Sequence, residues 1–277
     1  MEKIFQKVTC VTSMSKSYYD LIGKVMIDSF ANTWKDFNLV VYTEDDLELN
    51  YPNIKVVNID CCDPALQEYL DYIGDHSSRG FAYKVFSWIH CARNCSTKWL
   101  LWLDADSCCI RTPDEILFKE LLPENSICAY MKTIMYKDKK GWKGRENCDS
   151  AIISFDTTTD YSKEFVNEFE RLYTSKEIDN RELYPKPNDT HAFIKCINDA
   201  QQQGHTSYNL NPNDESLSPI KETILGEYFR HFKAGRKDKT KIHGVVNKLI
   251  SSTNKLKDSP TALAKRIERV ERRFRNG

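Results

Sequence analysis

The stretch KWLLWLDADSCCI, residues 98–110, runs a largely apolar segment, Lys98–Leu103, straight into Asp104-Ala105-Asp106. A short apolar run bounded by polar residues reads as a buried strand. Side chains alternate along a strand, so the reading places Asp104 and Asp106 on one side with Ala105 facing away. Two carboxylates this close repel and raise each other's pKa unless a cation lies between or beside them. Hard divalent ions with oxygen ligands, Mg²⁺ or Mn²⁺, suit such a pair and fill their remaining positions with phosphate oxygens and water. The pattern therefore points to a metal-bridged diphosphate at the end of a strand. The plainer alternative makes Asp104 a turn cap and leaves Asp106 exposed.

Working outward, Lys7–Thr12 reads as a first strand and Tyr18–Trp34 as a helix with Leu21, Ile22, Val25, Met26, Ser29 and Phe30 inward. Phe37–Tyr42 and Asn53–Ile59 read as further strands. An acidic stretch then reads as irregular, and Phe81–Asn94 as an amphipathic helix leading into the opening strand. Strands alternating with helices predict an α/β fold with a mostly parallel, Rossmann-like central sheet. In such sheets ligands collect at the carboxyl ends of the strands, where the Asp pair lies. Farther on, Ile127–Met131 and Ser150–Phe155 read as strands, Tyr161–Tyr173 and Thr190–Gln202 as helices, and Asn209–Pro219 as turn-rich. Ser259-Pro260 opens a last helix with an N-cap and Pro at its first position.

Three segments together resemble the GT-A nucleotide-sugar-dependent glycosyltransferases, broadly the glycogenin/galactosyltransferase-like (family 8-type) enzymes. They are WLLWLDADSCCI, the preceding helix RGFAYKVFSWIHCAR, and NCDSAIISFDT some 40 residues later. The order of elements matches over roughly residues 5–245. The resemblance implies transfer of a sugar from a nucleoside diphosphate, with UDP the expected base carrier. It makes Asp104 and Asp106 ligands of Mn²⁺ or Mg²⁺, Asp106 the more direct and Asp104 also meeting the ribose. It adds a later His: HFKAGRK, residues 231–237, approximates the family's pattern with its Gly displaced by one and no Pro-Trp. His231 is favoured as third ligand and His243 competes, while Arg236 and Lys237 are positioned to neutralise the diphosphate. Thr12 and Tyr42, at the ends of the first two strands, resemble the nucleotide pocket, and Arg79 and Lys84 are candidates for sugar or phosphate. Asp149 stands where the family reads donor-sugar hydroxyls. Asp189 is either a helix N-cap or the carboxylate beside the reacting carbon, acting as general base if the enzyme inverts.

The chain of 277 residues, 40% of them hydrophobic, suffices for one large α/β domain with an appendage. The expected division is a glycosyltransferase domain at 1–245 and a basic helical appendage at 246–277. Zero net charge conceals an asymmetry: from Arg230 onward 15 Lys/Arg face 4 Asp/Glu, so residues 1–229 carry the compensating negative excess. Lys265, Arg266, Arg269, Arg272, Arg273 and Arg275 oppose Leu263, Ile267, Val270 and Phe274. Such a helix suits an anionic membrane surface, nucleic acid, or docking on the chain's own acidic body. A glycan or lipid-linked glycan is the favoured acceptor, with modified DNA bases as the alternative. A nucleotidyltransferase also uses paired aspartates, but VTSMSKSYYD lacks the Gly-rich phosphate loop such enzymes carry near their first strand. A non-catalytic binding module of the same fold would have no use for the carboxylate pair. Ten cysteines, two pairs of them adjacent, with no repeated metal-ligand spacing, predict reduced thiols. With no signal-like or transmembrane run, a cytoplasmic protein, or one peripheral at a membrane surface, is expected.

Overall fold

The computed structural model describes residues 4–74, 78–135, 144–184, 187–211, 219–232 and 244–251. The opening segment becomes β4 (Trp99–Leu103), preceded by β1 (Val8–Ser13), β2 (Asn38–Thr43) and β3 (Ile54–Asn58). After it come β5 (Ser107–Cys109), β6 (Cys128–Met135), β7 (Arg145–Asp156), β8 (Tyr208–Asn209) and β9 (Phe229–His231). Among the described residues the main sheet is seven-stranded, in the order β3-β2-β1-β4-β7-β6-β8, and β5 pairs with β9 in a separate ribbon. The pairings β3-β2, β2-β1 and β1-β4 are parallel, β4-β7 and β7-β6 antiparallel, and β6-β8 parallel. The sheet is thus mixed and mostly parallel, as the alternating pattern predicts for its first half.

β4 is apolar throughout because it is buried on both faces. Trp99, Leu101 and Leu103 point into one core layer and Leu100 and Trp102 into the other. The first layer is covered by α2 (Lys24–Thr33) and α5 (Glu115–Leu121), the second by α3 (Pro64–Ile73), α4 (Arg79–Asn94), α6 (Ser162–Thr174) and α7 (Asp189–Gln202). Ahead of α2, α1 (Lys16–Tyr18) is α-helical and Tyr19–Gly23 form a π-helical turn, so the first helix is continuous but locally widened. α3 falls where the sequence reads as irregular. Its start is nevertheless encoded: Asp63 accepts from the Ala65 amide at 2.9 Å and Pro64 takes the first helical position. Residues 244–251 are helical, and Val246 joins the first core layer. The basic helix expected beyond Ser259 lies outside the described residues.

Trp34 ties the first layer to the β5–β9 ribbon. Its ring lies 5.1–6.0 Å, centroid to centroid, from Phe30, Phe37, Phe118 and Phe229, and its indole N–H donates to the Arg111 carbonyl at 3.2 Å. Just before β9, Gly226 sits where a Cβ would come within 2.6 Å of the Ile220 carbonyl oxygen, so only glycine fits the turn that launches the strand. The cysteines whose side chains are described are free thiols. Burial pushes Cys91 and Cys108 up to about 12, which keeps both protonated and unreactive.

Candidate active site

β4 ends at Leu103, and Asp104-Ala105-Asp106 form a turn in which the Ser107 amide donates to the Asp104 carbonyl at 2.8 Å. The two carboxylates are therefore brought together by a tight reversal and not by the alternation of a strand. Two antiparallel pairings supply their surroundings. Leu103 faces Ile152 on β7, so the Asp104 amide donates to the Ala151 carbonyl at 2.9 Å and Ser150 comes alongside. Ser107 faces His231 on β9, and the Phe232 amide donates to the Asp106 carbonyl at 2.9 Å. His231 thereby reaches Asp106, with Nε2 3.0 Å from Oδ1. The Tyr18 hydroxyl donates to the other oxygen, Oδ2, at 3.1 Å.

Asp104 has different neighbours. Its Oδ1 accepts from the Lys84 ammonium at 2.6 Å and from the Trp102 indole at 2.7 Å. Lys84 also lies 2.7 Å from Asp189 Oδ2 and donates to the Ser150 carbonyl and hydroxyl at 3.1 and 2.9 Å. The Ser150 hydroxyl in turn donates to Asp189 at 2.5 Å. Asn188 is the N-cap of α7, accepting from the His191 amide, which leaves the Asp189 side chain to point inward at 4% exposure. The N-cap alternative for Asp189 thus belongs to its neighbour.

Two carboxylates, Asp104 and Asp189, share one ammonium with a third, Asp106, close by, and the electrostatics show it. Burial works to lower the Lys84 pKa, but Asp104 and Asp189 outweigh it and hold the ammonium well above its usual range. Burial pushes Asp104 up, Lys84 pulls it back, and Asp189 and Asp106 push again, leaving it raised. Burial lowers His231, but the hydrogen bond and charge of Asp106 more than offset this, so the imidazole titrates above its ordinary value. The Tyr18 phenol is raised by burial and by Asp106, and remains a donor. A further cation would relieve the crowding. The Asp104, Asp106 and His231 ligand atoms lie within 4.8 Å of one another, and two carboxylates with an imidazole are a donor set for a divalent ion.

The triad floors one end of a cleft of about 340 Å³ at the carboxyl ends of β1, β2 and β4. Lys84, Trp102 and Tyr18 line the same end, and Ser13, Ser15, Glu44, Phe81 and Tyr83 line the rest. The fold that carries this turn and cleft is shared with solved proteins. The chain superposes on the galactosyltransferase LgtC in complex with donor and acceptor sugar analogs, with a TM-score of 0.55 and 12% identity over 93% of this chain and 99% of that one. An active-site mutant of LgtC gives 0.50 and 12% over 88% and 95%. The fold is that of the GT-A glycosyltransferases. Mouse xyloside xylosyltransferase 1 also matches, with a TM-score of 0.49 and 11% identity over 74% of this chain and 85% of that one. No protein-family profile and no curated protein matches the sequence. At this identity the likeness concerns the GT-A fold. The triad has the make-up of a D-x-D metal site and is consistent with glycosyltransferase activity of the GT-A type.

Of the residues expected in the site, Asp104, Asp106, His231, Lys84 and Asp189 are brought together. Thr12 and Tyr42 are not: both are buried, and the Tyr42 hydroxyl is engaged with His90 Nδ1 at 2.8 Å. Their strands end at the cleft, but these two side chains point into the core layers and Ser13 and Glu44 face outward in their place. Arg79 donates to the Gly74 carbonyl at 3.0 Å, at the end of α3. Asp149 accepts from the Ala151 amide at 3.1 Å and acts on His231 through its charge. Arg236, Lys237 and His243 lie outside the described residues. Tyr18 and Trp102 escape the sequence reading. Ser150 adjoins Asp149 in the quoted NCDSAIISFDT motif, but nothing local marks Tyr18 as a partner of a residue 88 positions away.

Proposed function

We propose that the protein is a metal-dependent glycosyltransferase that moves a sugar from a nucleoside diphosphate, UDP being the expected carrier, to a hydroxyl of a glycan or lipid-linked glycan. The observation that carries this reading is the Asp104–Asp106–His231 triad at the carboxyl end of β4, opening on a cleft large enough for a nucleotide. The resemblance to family 8-type enzymes and the LgtC superposition, whose partner contains donor and acceptor sugar analogs, support it.

In this reading Asp104, Asp106 and His231 hold Mn²⁺ or Mg²⁺. The ion supplies Lewis-acid stabilisation of the leaving diphosphate. Lys84 keeps Asp104 ionised and fixed toward the cleft, and Trp102 donates to the same oxygen. Asp189 is buried against Lys84 and Ser150, which suits it to anchoring that lysine better than to deprotonating an acceptor. Asp149 would read donor-sugar hydroxyls, and Arg236 and Lys237, outside the described residues, would neutralise the diphosphate. The positive surplus from Arg230 onward favours an acceptor that carries phosphate or sits at an anionic surface. Among the described residues no helix is long and apolar enough to cross a membrane.

A panel of nucleotide sugars, scored for Mn²⁺-dependent hydrolysis, tests the reading. At least one donor should be cleaved by the native protein. Asp106→Ala should lose on the order of 10²–10³-fold in rate, as expected when charge stabilisation of a leaving group is removed. Full activity in that variant would refute the metal assignment.

A further inference from the structure

A second cleft, of about 400 Å³, lies between α6 and α7. Tyr161, Glu164 and Glu168 line it from the start of α6, and Asp199, Gln202 and Gln203 from the end of α7. The first three follow at intervals of three and four residues, so they share one helix face. α7 is 14 residues long, roughly 20 Å, and Asp189 at its other end belongs to the active site. The two clefts are therefore distinct. At more than ten times the roughly 30 Å³ of a water molecule, this one suits an alkylammonium or guanidinium group rather than a bare ion.

The charges here do not balance. Glu168 accepts from Arg171 at 2.7 and 2.8 Å and lies 3.6 Å from the Lys195 ammonium, which also bonds Asp199. Arg171 is shared with Glu177 at 2.8 Å. With Glu164 included, four carboxylates meet two cations. The carboxyl end of α7 adds the negative pole of its dipole. Among the described residues no donor or cation reaches Glu164. The Tyr161 phenol is a second, independent sign of a ligand. It lines the cleft at 5% exposure, and its hydroxyl has no hydrogen-bond partner among the described residues. The His205 ring stacks on it at 4.2 Å and fixes its direction. A buried hydroxyl held this way gains most from a group that the ligand supplies.

The chain carries a matching cation. Residues 252–277, outside the described residues, hold eight Lys/Arg against three Asp/Glu. They follow the helix at 244–251, whose Val246 packs in the first core layer, whereas α6 and α7 cover the second. A sheet with a helix layer on each face is about 30 Å thick. The stretch from Ser251 to Lys265 spans up to roughly 46 Å when extended, enough to pass round the sheet. We propose that the cleft between α6 and α7 docks the chain's own basic segment, residues 252–277, with an Arg or Lys side chain entering between Glu164, Asp199 and the Tyr161 hydroxyl. One exposed ion pair is weak, but tethering raises the segment's local concentration to roughly millimolar. Docked there, the segment is withheld from any anionic surface or acceptor, which must displace it. This inference stands independently of the glycosyltransferase reading.

Photo-crosslinking in the full chain tests it, with p-benzoylphenylalanine in place of the exposed Gln202. Illumination at low ionic strength should capture peptides from residues 252–277. In a mixture of ¹⁵N-labelled and unlabelled protein, each captured pair should come from a single chain. The yield should fall about fivefold in 0.5 M NaCl, where charges more than about 4 Å apart are screened. Adding Glu164→Lys, an exposed change that spares the core, should lower it by a similar factor at low salt. Capture of other segments only, capture from a second copy, no capture at all, or a yield indifferent to Glu164→Lys would each overturn the proposal.

Discussion

Asp104 and Asp106 lie two residues apart on one turn, yet they face opposite electrostatic conditions. Asp104 belongs to a network in which Lys84 is shared with Asp189, and Ser150 and Trp102 complete the hydrogen bonding. Among the described residues Asp106 has only a phenol and an imidazole, Tyr18 and His231, on its two oxygens. One carboxylate carries its counter-charge within the fold, whereas the other depends on a titrating ring or on an added ion. The lesson is that a symmetric-looking motif can divide its work: one half secures the scaffold and the other remains available to chemistry.

The strongest way to break this contrast is to remove the internal cation. Lys84→Met should cost about 3 kcal/mol of stability in urea unfolding, because Asp104 and Asp189 would be left as unpaired, largely buried charges. Adding Asp189→Asn to that variant should restore part of the loss. If Lys84→Met were neutral, the two halves of the site would not differ as described.

On the other side, His231→Gln should leave folding nearly intact and weaken Mn²⁺ binding on the order of tenfold or more, as read by calorimetry. Tyr18→Phe is milder. It removes one hydrogen bond from Asp106, about 1 kcal/mol, and should weaken Mn²⁺ binding roughly fivefold without moving the unfolding midpoint much.

The smallest effect should be the pH dependence of the metal-free protein. The folded-state pKa of His231 is raised: burial lowers it, and Asp106 more than compensates. Its contribution to stability is therefore fully present below the unfolded value, about 6.5, and is lost as pH rises through the raised folded value. Melting curves of the native protein should lose that increment over this window, and those of His231→Gln should not. Mn²⁺ competes for the neutral ring, so its affinity should run the other way and fall as pH drops through the same range.

Much of the parallel half was legible because its signals are local. Apolar strands at regular spacing and the amphipathic α2 and α4 reveal themselves within a dozen residues. α3 was missed although Asp63 and Pro64 mark its start, because the surrounding acidic residues and short apolar face read as irregular. In the site, the D-x-D turn, Lys84, Asp189 and His231 were found as residue types in a recognisable order. Thr12 and Tyr42 were misplaced because a strand end fixes which residues are near a cleft but not which of two faces each side chain takes. Ser13, one residue past Thr12, and Glu44, two residues past Tyr42 and just beyond the end of β2, line the cleft instead.

By itself the sequence determined the α/β class, the strand that carries the carboxylates, and the chemistry those carboxylates require, since each follows from periodicity or charge along a short segment. Only the tertiary structure decided who meets whom. The antiparallel return of β7 puts Ser150 against Asp104, the β5–β9 ribbon delivers His231 to Asp106, and Asn188 caps α7 so that Asp189 turns to Lys84. These pairings join residues tens to more than a hundred positions apart. Their partners are selected by strand register and by the need to neutralise and hydrogen-bond every buried charge, neither of which is written in any local pattern.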